Sequence, residues 1–71
     1  MDVITGMPGR VAEIQVAVGD AVSSGQDLLI LESMKMLIPV PAPADGIVAE
    51  LLVNVEEQVE EGDLLMRLTT E

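Results

Sequence analysis

A chain of 71 residues that matches itself at one fixed displacement has few folds open to it, and this one does so. Moved by 37 residues, Gly9 falls on Gly46, Val11-Ala12-Glu13 on Val48-Ala49-Glu50, and Val16, Val18 and Val22 on Val53, Val55 and Val59. Gly25 and Leu28 meet Gly62 and Leu65, with Ile14 on Leu51 and Asp20 on Glu57 as conservative matches. Beyond the second glycine, a slip of one residue sets Asp27-Leu28-Leu29 on Asp63-Leu64-Leu65 and improves the fit. Glycines, acids and valines agreeing in one register indicate duplication, not two valine-rich stretches resembling each other by accident. The expected architecture is two related halves about an approximate two-fold axis.

Each half reads as strands. Ile14, Val16 and Val18 alternate with Gln15 and Ala17, and Leu51, Val53 and Val55 do the same, which is the period of a half-buried strand. Val11 and Val48 stand three residues ahead and break that period. A helical stripe is the other reading, but β-branched residues and bracketing glycines favour a strand with a bulge at Ala12-Glu13 and Ala49-Glu50. Gly19-Asp20, Ser23-Ser24-Gly25 and Glu61-Gly62-Asp63 are turn punctuation. Val22 and Val59 belong to very short strands, and Leu28 to Glu32 and Leu64 to Leu68 supply the closing ones. Pro8, Pro39, Pro41 and Pro43 belong at strand edges or in loops. The result is an all-β domain over residues 1–71 with about eight short strands and no helix, in two small antiparallel sheets or a flattened barrel.

Composition narrows the chemistry. Ten Val, five Ile and nine Leu provide an aliphatic core without a single aromatic ring. That is enough for a compact interior of modest stability. With 13 acids against three basic residues the net charge is −10, which repels nucleic-acid phosphates and anionic membrane surfaces. Cys and His are absent, removing thiolate nucleophiles, zinc–sulfur sites and the commonest general base. No metal site and no catalytic residue is expected. No apolar run approaches a membrane span, and no secretion signal is visible, so the expected setting is cytoplasmic. Acids such as Glu56, Glu57, Glu60 and Glu61 read as a solvated face.

Glu32-Ser33-Met34-Lys35-Met36 lies between the two copies, and Lys35 is the only lysine. Leu28-Leu29-Ile30-Leu31 before it and Leu37-Ile38 after it are strand-like, so Met34-Lys35 is expected at a tight hairpin tip. Two-residue hairpin turns require positive φ and favour Asn or Gly, neither of which is here. A lone lysine is most often a solvated charge, and methionine most often fills a core. Two methionines framing the sole lysine at a tip fit neither use, so something besides turn geometry selects them. Moved by 37, the lysine falls just past the last residue. The two-fold operation therefore pairs the hairpin tip with the place where the chain ends meet.

Those five residues resemble the attachment motif of biotinyl domains, usually Glu-Ala/Ser-Met-Lys-Met. Met7-Pro8-Gly9, Gly19-Asp20 with Gly25, and Ala42-Pro43 before Gly46 also fall where that family has them, so the resemblance covers essentially the whole chain. It implies a barrel-sandwich hybrid of two four-stranded antiparallel sheets with quasi-two-fold symmetry. It further implies a non-catalytic biotin carboxyl carrier, with biotin joined covalently to Lys35 by a biotin protein ligase. Met34 and Met36 would then position the lysine and the tip for partner enzymes, and Glu32 and Ser33 are candidates for ligase contacts. The loaded domain would swing carboxybiotin between biotin carboxylase and carboxyltransferase sites.

Lipoyl domains resemble this chain in fold but usually carry Asp-Lys-Ala at the tip, so the flanking methionines favour biotin. A lipoyl carrier, or an unmodified interaction module on the same scaffold, are the alternatives. The chain departs from the family in three places. Glu56 replaces the glycine matched by Gly19, which predicts a different backbone there. Ser33 stands for the commoner Ala, and Leu37 is apolar where a polar residue is frequent. No insertion is present to form the protruding thumb of some bacterial biotin carriers.

Overall fold

The computed structural model describes residues 1–70. Eight strands follow one another: β1 (Asp2–Ile4), β2 (Gly9–Ile14), β3 (Ala21–Val22), β4 (Asp27–Ser33), β5 (Met36–Pro41), β6 (Gly46–Leu51), β7 (Gln58–Val59) and β8 (Leu64–Thr69). No helix occurs among the described residues. The strands form two four-stranded sheets, β1-β8-β6-β3 and β5-β4-β2-β7, with every pairing antiparallel. As expected, the fold is all-β and built from two such sheets.

The duplication is written into the backbone hydrogen bonds. Val11 N donates to Glu57 O while Val48 N donates to Asp20 O, so each half holds a turn of the other. Thr5 N to Asp63 O has its image in Ala42 N to Gln26 O, and Glu56 N to Val11 O has its image in Gly19 N to Val48 O. A displacement of 37 therefore exchanges the two sheets, β2 with β6, β3 with β7 and β4 with β8. Both bulges lie where the broken period put them, between Val11 and Glu13 and between Val48 and Glu50. One extra residue at each point re-aims the strand, so that Val11 and Val48 stay buried beside the irregularity.

Gly9 and Gly46 occupy equivalent crowded positions. A Cβ on Gly9 would stand 2.9 Å from the carbonyl oxygen of Glu32, and one on Gly46 would stand 2.7 Å from that of Thr69. The two halves come together over an aliphatic interior in which Leu28, Leu29, Leu31, Leu65, Met66, Val11 and Val48 are essentially inaccessible to solvent.

Three sequence expectations are corrected. First, the Ile14–Val16–Val18 strand stops at Ile14. Ala17 N donates to the Asp20 carboxylate at 2.9 Å while Asp20 N donates back to Ala17 O at 3.0 Å, which curls residues 17–20 into a turn. Val16 still reaches the core, but Val18 is left in the turn with 61% of its surface exposed, and Val55 is exposed in the same way.

Second, the one-residue slip is not structural. Leu28 has no partner across the β4–β5 ladder and Leu65 none across β1–β8, so these two residues match and the displacement of 37 persists. The irregularity turns adjacent residues inward in both halves, Leu28 with Leu29 and Leu65 with Met66, and that doubling imitates a change of register. Third, Glu56 keeps the backbone of its glycine counterpart: φ is 76° at Glu56 and 97° at Gly19. The exchanged hydrogen bonds between halves hold that turn in place, whichever residue occupies it.

Candidate functional site

Strands β4 and β5 are a hairpin whose last cross-strand pair is Ser33 with Met36, leaving Met34 and Lys35 as its two-residue tip. Both tip residues are left-handed, with φ 53° at Met34 and 67° at Lys35. Positive φ at both positions matches the right-handed twist of the flanking strands. For side-chain-bearing residues it costs on the order of 1 kcal/mol each. The ladder below compensates: five further cross-strand pairs, from Glu32–Leu37 down to Asp27–Pro41, pin the hairpin to the sheet.

The tip stands in solvent. Met34 is 91% exposed, and Met36 and Leu37 are largely exposed with it. Lys35 is exposed and enters no ion pair among the described residues. The other two cations are both engaged: Arg67 with Asp2 at 3.4 Å and Glu50 at 3.1 Å, and Arg10 with Glu32. Among the described residues, Lys35 is thus the one cationic side chain without a carboxylate partner.

The four other residues singled out from the sequence surround it. Met34 and Met36 flank the lysine and point no bulk into the core. Ser33 closes the hairpin and is half-buried. Glu32 lies one step further back, where its carboxylate accepts a hydrogen bond from Arg10 Nη2 on β2, its direct cross-strand neighbour. That hydrogen bond, reinforced by the charge of Glu32 and more weakly by that of Glu56, pushes the Arg10 guanidinium further above its ordinary range. Arg10, Glu32, Ser33, Met34 and Lys35 border one open groove of about 410 Å³, which Pro8, Gly9 and Gln58 complete.

Sequence reasoning missed Arg10. Its pairing with Glu32 depends on the register of β2 against β4, which the bulge shifts. Among the described residues no group of acids is arranged to hold a metal ion. A second groove of about 360 Å³, between β1 and β5, is walled largely by Val3, Ile4, Met7, Leu31 and Ile38. It offers little for chemistry.

A family model described as "Biotin-requiring enzyme" matches residues 2–68. The chain belongs to the biotin/lipoyl attachment family. Its members are carrier domains rather than catalysts. The biotin/lipoyl attachment protein of Bacillus subtilis is 42% identical over 69 residues, covering 97% of this chain and 94% of that protein. The biotin carboxyl carrier protein of acetyl-CoA carboxylase from Streptococcus pyogenes is 51% identical over 53 residues, or 75% of this chain and 32% of the relative.

Among solved structures, the urea carboxylase of Kluyveromyces lactis superposes with a TM-score of 0.91 and 32% identity, over 97% of this chain and 6% of that one. The lipoyl domain of the 2-oxoglutarate dehydrogenase complex from Azotobacter vinelandii superposes at 0.83 with 30% identity, over 99% of this chain and 96% of that domain. The chain therefore spans the full length of some family members and only a small part of others. Biotin carriers and lipoyl domains are both among its relatives, and carboxylases recur among the larger ones.

Proposed function

We propose that Lys35 is the attachment point for biotin and that the domain serves a biotin-dependent carboxylase as its carboxyl carrier. The observation that supports this reading most strongly is the sole lysine, unpaired among the described residues, on a left-handed tip between two exposed methionines. Nothing in the turn itself calls for Met or Lys there. A biotin protein ligase would present biotin as an acyl-adenylate. The Lys35 Nζ, as the free amine, attacks the acyl carbon; the amide bond forms, the acyl–phosphate bond breaks, AMP departs with its electron pair, and the nitrogen gives up one proton to solvent.

Glu32 and Ser33, on the groove beside the tip, are the proposed ligase contacts, while Met34 and Met36 present the tip to the enzymes that use it. Attached biotin supplies a ring nitrogen able to carry a carboxyl group. The protein's part is to hold the arm out on a rigid β body, so that its loaded end is locally concentrated at a biotin carboxylase site and then at a carboxyltransferase site.

Lipoate on the same lysine is the second reading, favoured by the A. vinelandii lipoyl domain that matches over nearly its whole length. Intact mass spectrometry separates the two. After incubation with biotin protein ligase, ATP and biotin, one biotinyl adduct is expected on the wild type and none on Lys35→Arg. A lipoyl adduct formed in preference, with a lipoate ligase and lipoate, would favour the second reading. An unchanged mass under both conditions would leave the domain as an unmodified interaction module.

A further inference from the structure

We propose that Arg10 is a positioning residue for the lysine tip: by holding the Glu32 carboxylate against β2, it keeps that acid from engaging the Lys35 ammonium. The proposal takes Lys35 as the reactive amine and so rests on the carrier reading, but it can be tested separately from it.

The internal symmetry supplies a control within the molecule. Arg10 and Glu32 face each other across β2 and β4, and their two-fold counterparts, Ile47 and Thr69, face each other across β6 and β8. The second sheet pairs in the same register with a neutral couple in that place. An ion pair is therefore not needed to bring these strands together. The charged pair of the second half sits elsewhere, at Glu50 and Arg67, whose counterparts in the first half are Glu13 and Ile30. What sets the first position apart is the hairpin tip that follows it, which carries the lysine.

The groove explains what the pair does there. Its charged members are Arg10, Glu32 and Lys35, and from outside the groove Glu56 of the β6–β7 turn also acts on Arg10. Glu32 precedes Lys35 by three residues on the same hairpin. Without Arg10 it would be the carboxylate best placed to fold over the groove and hold the ammonium. A lysine held in an ion pair is a poorer nucleophile, because only the free amine has a lone pair to attack with and the carboxylate would hold the side chain down in the groove. Arg10 is suited to this because a guanidinium stays charged at any working pH and holds a carboxylate in a defined direction.

A small uncharged activated ester can test this without a ligase, since Lys35 is the only side-chain amine and its acylation is read by peptide mass mapping. Arg10→Ile, which installs the residue of the symmetric position, is expected to slow Lys35 acylation about threefold, the size of one screened surface charge pair. Arg10→Ile combined with Glu32→Gln is expected to restore the wild-type rate. Equal rates in wild type and Arg10→Ile would overturn the proposal, and so would a double variant as slow as the single one. If Arg10→Ile does not fold by circular dichroism, Arg10→Gln replaces it with the same expectations. Wild type that acylates readily yet takes no biotin from a ligase would remove the carrier reading while leaving the reagent comparison to decide the role of Arg10.

Discussion

Met34, Lys35 and Glu56 share a conformation that side-chain-bearing residues avoid, but for different reasons. Glu56 is held by the symmetric lattice of hydrogen bonds, so a residue without a Cβ should sit there more comfortably. Glu56→Gly is expected to raise stability by about 1 kcal/mol, or roughly 4–8 °C in Tm for a domain of this size. Lys35→Gly is expected to stabilise the hairpin by a similar amount, about 1 kcal/mol, while removing every covalent adduct. Thermal denaturation beside intact mass checks both. A Lys35→Gly variant less stable than wild type would show that the tip is not strained. The unsuitability of Met-Lys for a tight turn was visible in the sequence. The strain at Glu56 was not, because the duplicated sequence showed only a lost glycine and gave no sign of the contacts that hold the turn in its shape.

Among the elements, β2 and β6 carry the most constraint: a bulge in mid-strand and, at the start, a glycine crowded by a neighbouring carbonyl. Gly9→Ala and Gly46→Ala must each displace backbone, and each is expected to cost about 1–3 kcal/mol. Urea unfolding should show a lowered midpoint with an unchanged slope for both. Loss at only one of them would mean that the two halves are not mechanically alike. The bulges themselves were legible, since Val11 and Val48 broke the two-residue period ahead of their strands. The ends of β2 and β6 were not. Val16 and Val53 continue the pattern because they are buried, yet they reach the core from irregular backbone, and hydrophobic periodicity records burial without recording how the chain arrives there. The doubled inward residues Leu28-Leu29 and Leu65-Met66 misled in the same way. Arg10 was invisible for a related reason, since register across a bulge cannot be counted from residue numbers.

For the molecule as a whole, charge works against compactness. Thirteen acids against three basic side chains leave a body with a radius of gyration of 11.1 Å under net repulsion, and the three ion pairs among the described residues are all partly exposed. Such pairs contribute little, about 0–1 kcal/mol each, so screening should remove more repulsion than attraction. Raising sodium chloride from about 10 mM to 500 mM shortens the screening length from about 30 Å to under 5 Å and is expected to raise Tm by several degrees. A Tm that falls with salt would assign the ion pairs a larger share of the stability than their exposure implies.

The pairing of Met1 with Leu68 also decides how the domain bears tension. Met1 exchanges backbone hydrogen bonds with Leu68 in both directions, next to the first rung of β1 on β8. A load applied through both ends would meet those bonds one at a time and peel β1 away like a zipper. Rupture would begin there at low force, while the lysine hairpin, in the opposite sheet and off the line of pull, would still be folded.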